Sequence, residues 1–169
     1  MGVQLRIAGI INESIADGPG IRMVIFTQGC SHNCSGCHNP QTHSFDAGEL
    51  IDIDKIIYDI SKNPLLDGIT LSGGDPFEQA EACALLAGEV KRLGLNVITY
   101  TGYTYEQLIG LSEQRAGFDE LLNNTDTLID GPFIDKEKNL LLKFRGSANQ
   151  RIIDMNRTRA EGQIVLSIL

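Results

Sequence analysis

The sequence predicts an α/β protein built as a partial, open (β/α) barrel, with a mostly parallel sheet and helices outside. Short apolar runs suited to strands alternate with longer segments of helical period, the alternation that produces parallel strands joined by crossover helices. Turns at Cys30, Gly73, Thr101 and Asp130 all follow such runs, so they should gather at one end of the sheet, where the sites of these folds lie. The chain has 169 residues, whereas a complete eight-unit barrel needs about 250. One open domain over residues 1–169 is therefore expected.

Taken in order, residues 5–11 read as a strand, followed by Asp17-Gly18-Pro19-Gly20, where two glycines flanking a proline specify a tight turn. Met23, Val24, Ile25 and Phe26 form the strand that leads to the cysteines, and residues 41–50 read as a polar loop. Ile53, Ile56, Ile57 and Ile60 stand at helical spacing in 53–63, and Pro64 ends that helix. Gly68, Ile69, Thr70 and Leu71 form a short strand that delivers Ser72-Gly73-Gly74-Asp75-Pro76 to a helix over 77–93, closed by Gly94. Ala80, Cys83, Ala84, Ala87 and Val90 share one face of this helix, which makes Cys83 a core residue. Residues 96–100 then read as a strand, Thr101-Gly102 as a turn, 104–114 and 118–123 as helices, and 127–129 as a strand ending in Asp130-Gly131-Pro132. Residues 140–144 and 164–169 are later strand candidates.

Three of the four cysteines, Cys30, Cys34 and Cys37, fall within residues 27–40. Gaps of three and two residues let one tight loop turn three thiolates toward a common centre, as a cluster-binding loop does. Three cysteines leave one iron of a four-iron, four-sulfur cluster without a protein ligand, and an open position, as at catalytic zinc, serves chemistry rather than bracing. Cys34-Ser35-Gly36-Cys37-His38 also matches the string of covalent haem attachment. That attachment goes with export, yet the first residues lack a charged region followed by a long apolar one, and Cys30 would be left unexplained. A disulfide framework is unneeded in a chain this long without secretion signals. A structural zinc site of the three cysteines with His32 or His38, in a non-enzymatic adaptor, stays open. Gly73 and Gly74 would let a ligand's polar end approach the backbone, and N–H groups at a helix start suit a carboxylate. Taken alone, the same turn is an ordinary strand-to-helix connection.

With 42% apolar residues the chain can bury a proper core, and no apolar run approaches the length of a membrane span. A soluble, cytoplasmic protein is expected. The net charge of -8 argues against nucleic acid as a general partner, because a phosphate backbone calls for a basic footprint. Residues 143–159 run against that balance: Lys143, Arg145, Arg151, Arg157 and Arg159 face Asp154 alone, either as a solvated surface or as a docking face for an acidic partner.

The cysteine loop and the turn Gly73-Gly74-Asp75-Pro76 together resemble the radical S-adenosylmethionine superfamily. Within it the chain is more closely similar to the activating proteins of anaerobic ribonucleoside-triphosphate reductase. The likeness rests on Asp17-Gly18-Pro19-Gly20-Ile21-Arg22, Gly29 to Asn39, Gly68 to Pro76, Tyr100-Thr101-Gly102-Tyr103, Asp130-Gly131-Pro132-Phe133 and, most discriminating, Arg145-Gly146-Ser147-Ala148-Asn149-Gln150-Arg151-Ile152. Short length favours this group over the longer activating enzymes of pyruvate formate-lyase, the alternative glycyl-radical partner. Many superfamily members carry an aromatic residue just before the third cysteine; this chain has Gly36 there, and His38 becomes the candidate to stack on adenine.

The resemblance implies a single 4Fe-4S cluster on Cys30, Cys34 and Cys37, with the amino and carboxylate groups of S-adenosyl-L-methionine on the open iron. Gly73 and Gly74, with Asp75 of the same turn, would receive the methionyl end, and backbone from Gly36 through Cys37 to His38 would hold the adenosine. By the same resemblance, a flavodoxin-like donor supplies one electron. A 5'-deoxyadenosyl radical then takes a hydrogen atom from a glycine of the large reductase subunit. The chemistry belongs to the cofactors, so no side chain is expected to act as a catalyst in its own right.

Overall fold

The computed structural model describes residues 2–168. Seven strands form one open sheet: β1 (Gln4–Ser14), β2 (Arg22–Thr27), β3 (Glu49–Asp52), β4 (Gly68–Gly73), β5 (Asn96–Tyr100), β6 (Thr127–Asp130) and β7 (Arg151–Asp154), in the order β3-β1-β2-β4-β5-β6-β7. The central strands β2, β4, β5 and β6 run parallel. Both margins are antiparallel: β3 and β1 on one side, β7 on the other. Helices α1 (Ile53–Lys62), α2 (Ala80–Arg92), α3 (Tyr105–Leu111), α4 (Phe118–Asn123) and α5 (Met155–Glu161) complete the fold.

Strand side chains alternate between the two faces of a sheet, and here the two faces have different fates. On one face Met23, Ile25, Ile69, Leu71, Val97, Leu128 and Ile153 pack with Ile56, Ile60, Leu86, Val90 and Leu121 of α1, α2 and α4 in the main core. Cys83 is fully buried in this layer, as its place in an apolar stripe predicts. The opposite face carries Ile98, Ile129 and Ile152, a small cluster closed by Tyr100 and Phe144, without a helix among its members. This helix-free face is where the site lies.

Differences from the expected elements follow from long-range pairing. Residues 49–52, the first two inside the expected loop over 41–50 and the others in no expected element, form β3 by pairing antiparallel with β1; an edge strand with its side chains largely exposed shows no apolar period. β7 and α5 were hidden inside the basic run, where four residues of strand leave little signal. Residues 140–144 are not a strand: Leu140 and Leu141 are 84% and 91% exposed in a loop. Of 164–169, Leu166 makes an isolated bridge to Ile153, and Leu169 lies outside the described residues. The helix expected over 77–93 begins with a short 3-10 turn, Pro76–Gln79, before α2.

Candidate functional site

At the carboxyl end of the parallel strands, the helix-free face opens into a cavity of about 550 Å³. That is the size range of small-molecule sites. Ile11, Phe26, Ser72 and Tyr100 from the sheet line it, together with Cys30, Cys34 and Cys37, the Gly73-Gly74 turn, and Phe133 and Arg145 from the connection between β6 and β7. The strand-end turns do gather, as the alternation requires.

The cysteine loop leaves β2 and is pinned at its start, where the Gly29 and Cys30 N–H groups donate to the carbonyls of Thr42 and His43 (2.7 and 3.1 Å). Inside it the Cys37 N–H donates to the Cys34 carbonyl at 3.2 Å, a tight turn passing through Gly36 at φ +75°. That left-handed backbone is what favours glycine here, since the Asp135 carboxylate oxygen 2.9 Å from a Cβ at this position belongs to an exposed side chain; Gly36 backs the loop and does not itself line the cavity. All three thiols are free and partly buried. Burial pushes the Cys30 thiol up to about 11, so iron binding there must displace a proton. Among the described residues no three His, Cys, Asp or Glu side chains converge on one point. A four-iron cluster puts each cysteine on a different iron, so three thiols spread around one cavity suit that group.

His32 and His38 both line the cavity but meet different partners. His32 Nε2 lies 2.7 Å from an Asp75 carboxylate oxygen, and its ring stands edge-on to Tyr103 at 4.6 Å. The hydrogen bond to Asp75 raises the imidazole pKa above its ordinary value, against the opposing effect of burial. His38 lines the cavity and lies against Phe133, ring centroids 4.9 Å apart.

The glycine turn is shaped chiefly by the cysteine loop. Gly74 N–H donates to the Thr27 carbonyl (2.7 Å) and Asp75 N–H to the Gly29 carbonyl (2.9 Å). A Cβ on Gly74 would fall 2.3 Å from the Gly29 oxygen, and one on Gly73, at φ +91°, 2.5 Å from the Thr27 nitrogen. The two glycines face the cavity, but what excludes a side chain is the neighbouring backbone. Asp75, grouped with the cofactor-binding residues on sequence, is fully buried and absent from the cavity wall. Its carboxylate accepts from Phe77 N–H (3.0 Å), the Thr101 hydroxyl (2.9 Å) and Gly102 N–H (2.9 Å) as well as meeting His32. Asp75 is a positioning residue that ties three turns together.

The wall missing from the sequence-based set comes from β5 and from the connection between β6 and β7. The Tyr100 hydroxyl donates to the Phe144 carbonyl (2.6 Å), holding Phe144 at φ +61° above the sheet. Tyr100, Thr101, Gly102, Phe133, Arg145 and Gly146 all line the cavity, and all belong to the strings that carry the resemblance. Those strings were the available signal, although spacing alone assigns them no role.

The basic run divides. Arg151 Nε donates to buried Asp130 (3.0 Å) and Nη2 to Glu106 (2.6 Å), and Arg159 Nη1 donates to the carbonyls of Leu122 and Thr125 (3.0 and 3.2 Å). These two brace the β6–β7 margin and α5. Arg157 pairs only with Glu161 one turn on, Lys143 is exposed, and Arg145 turns toward the cavity. Among the described residues no helix is long and apolar enough to cross a membrane.

Comparison with known proteins identifies the kind of chain this is. The family described as a 4Fe-4S single cluster domain matches residues 16–153. The anaerobic ribonucleoside-triphosphate reductase-activating protein of Haemophilus influenzae is 38% identical over 146 residues, covering 82% of this chain and 90% of that protein. The proteins of the same name from Vibrio cholerae and Escherichia coli K12 are 37% and 34% identical, with 90% of each covered. The crystal structure of QueE from Escherichia coli aligns at a TM-score of 0.48 and 15% identity over 60% of this chain and 53% of that one, too loose a likeness to bear on fold or function. With the cysteine loop and all of the cavity's lining residues but Ile11 inside the matched region, the chain belongs to the family of anaerobic ribonucleoside-triphosphate reductase-activating proteins, which carry a 4Fe-4S domain.

Proposed function

We propose that this chain is a radical S-adenosylmethionine activase that installs a glycyl radical in the large subunit of an anaerobic ribonucleoside-triphosphate reductase. The observation that carries the reading is one cavity lined at once by Cys30, Cys34 and Cys37 and by the Gly73-Gly74 turn. In this reading the open sheet is an arc of a (β/α) barrel whose helix-free face is the barrel interior. Cys30, Cys34 and Cys37 hold a 4Fe-4S cluster with one iron left to the ligand. Bound there, cluster and S-adenosylmethionine would supply reductive cleavage of the sulfonium by one electron from a flavodoxin-like donor, and with it the removal of a hydrogen atom from the reductase glycine.

The chain's own residues bind, orient and exclude water. Gly73 and Gly74 let their turn pack against the backbone of Thr27 and Gly29, which sets the cavity wall at the methionyl end. The Gly36 turn presents the backbone of Cys37 and the ring of His38, backed by Phe133, to the adenosine. Asp75 locks the glycine turn, the Thr101-Gly102 turn and His32 into one unit. The open side is left for the reductase to close, with Lys143, exposed beside the cavity-lining Phe144 and Arg145, as the member of the basic run placed to meet it.

Anaerobic reconstitution tests the reading. Wild-type protein and Cys83→Ala should bind four irons each and absorb near ~400 nm, whereas Cys30→Ala, Cys34→Ala and Cys37→Ala should each lose the cluster. Reconstituted protein should cleave S-adenosylmethionine and produce a glycyl radical signal in the reductase by electron paramagnetic resonance. Colourless protein holding one zinc would sink the proposal.

A further inference from the structure

Short of Ile168, the last described residue, the three most exposed large apolar side chains are Leu141, Leu140 and Ile15, at 91%, 84% and 80%. Their places in the chain are not scattered. Ile15 directly precedes Ala16 and Asp17, and the two leucines lie just before Phe144 and Arg145; all four of those neighbours line the cavity. Two separate connections that wall the cavity therefore each turn apolar groups out to solvent beside it. Single exposed apolar residues are ordinary, but an adjacent pair of solvated leucines next to a cavity marks a contact surface.

The turn that carries the leucines is built by polar bonds. Leu141 N–H donates to Asn139 Oδ1 (2.9 Å) and Leu142 N–H to the Asn139 carbonyl (3.3 Å). Below this tip, Asn139 N–H donates to the Gly146 carbonyl (3.3 Å) and Ala148 N–H to the Glu137 carbonyl (2.9 Å), while the Tyr100 hydroxyl holds the Phe144 carbonyl to the sheet. None of these bonds uses the side chain of Leu140 or Leu141, and neither residue belongs to the core. A turn already fixed in shape loses little entropy when its apolar tip is covered.

We propose that Leu140 and Leu141, with Ile15, are the docking rim for the large reductase subunit, and that they seat in an apolar patch of that subunit fringed with carboxylates. The inference rests on the activase reading and adds to it the surface that grips the partner. A glycine carried by a large protein reaches this cavity only when that protein's surface closes over the residues beside the opening, so the partner is the macromolecule that covers them. Charge gives the fringe its sign: Lys138 and Lys143, both exposed, flank the leucines in a chain of net charge -8. An apolar centre with a charged edge divides the work of an interface, the first holding the complex and the second steering its formation.

The test measures the affinity of anaerobically reconstituted protein for the large subunit by sedimentation, beside iron content, thermal melting and partner-free cleavage of S-adenosylmethionine by a chemical reductant. Leu140→Ser with Leu141→Ser should weaken the complex about tenfold or more, and Ile15→Ser about threefold, with the other three readings unchanged. Tyr58→Ser, 60% exposed on α1 of the helix-covered face, should leave the affinity as it is. Lys138→Glu with Lys143→Glu should slow association chiefly at low salt, and an unchanged rate would remove the acidic fringe. Unchanged affinity in the leucine variant overturns the proposal, as does an equal loss of partner-free cleavage, which would make the turn part of the cavity wall. It is overturned too by a wild-type dimer, or by binding to anionic phospholipid vesicles, that the leucine variant abolishes while reductase affinity holds. Wild-type protein with a full cluster that cleaves no S-adenosylmethionine overturns the activase reading, and this inference with it. Protein that cleaves the ligand but does not bind the large subunit overturns the docking rim alone.

Discussion

The helix-free face of the sheet has an arginine at each end, Arg22 buried and Arg145 half-buried, and the two are treated in opposite ways. At the amino end of β2, Arg22 is 1% exposed and makes five hydrogen bonds, to Thr70 Oγ1, the carbonyls of Pro19, Ile69 and Asn96, and Asn96 Oδ1. Burial pushes its guanidinium down to about 10, still far above neutral pH, so the cation stays and is dispersed over oxygen dipoles instead of a carboxylate. At the carboxyl end Arg145 has one hydrogen bond and an orphaned Nε. One end is finished by the protein. The other keeps a polar shortfall, at the strand ends that form the cavity.

Breaking the finished end should cost stability and nothing specific to the ligand. Arg22→Met strands the carbonyls of Ile69 and Pro19 beneath the Asp17-Gly18-Pro19-Gly20 turn, and urea unfolding should show a loss of about 2–4 kcal/mol. A loss below 1 kcal/mol would mean that water replaces the guanidinium freely. At the open end, Gly74→Ala places a Cβ against the Gly29 oxygen, one residue before Cys30. It should lower stability by about 1–3 kcal/mol and reduce the iron bound on reconstitution at the same time. Full iron with weakened S-adenosylmethionine binding would instead assign the glycine to the ligand.

The smallest effect concerns pH at the finished end. Burial alone would raise the Asp126 carboxyl, but Lys91, the Val97 N–H (2.8 Å) and Asn156 (3.0 Å) outweigh it and hold the group below the ordinary aspartate value. A depressed carboxyl contributes stability that is present above its unfolded pKa and lost as pH falls through the folded one. Asp126→Asn should therefore cost about 1 kcal/mol at neutral pH and flatten the acid limb of a stability profile. An unchanged acid limb would show that Asp126 does not govern it.

Motifs whose meaning is local were legible in the residues alone. Three cysteines within eight positions, a Gly-Gly turn between an apolar run and a helical one, and Cys83 in an apolar stripe need only spacing and period to be read. The same rules marked β1, β2, β4, β5 and β6, because buried strands must be apolar wherever they end up. They failed for Glu49–Asp52 and Arg151–Asp154, which become strands by pairing with β1 and β6, and for 140–144, whose apolar run finds no strand to pair with.

Other roles existed only once distant turns met. Asp75 carries the residue type a ligand contact would use, yet folding surrounds it with Phe77, Thr101, Gly102 and His32 until no oxygen is left to offer. Arg145, Arg151 and Arg159 are indistinguishable as members of one basic run; the first faces a cavity while the others meet Asp130 and the end of α4. Spacing along the chain decides which side chains share a loop, a strand or a helix face. Which groups are left with unsatisfied hydrogen bonds depends on partners dozens of residues away, and is settled when the sheet closes its polar end around Arg22 and leaves the other end open.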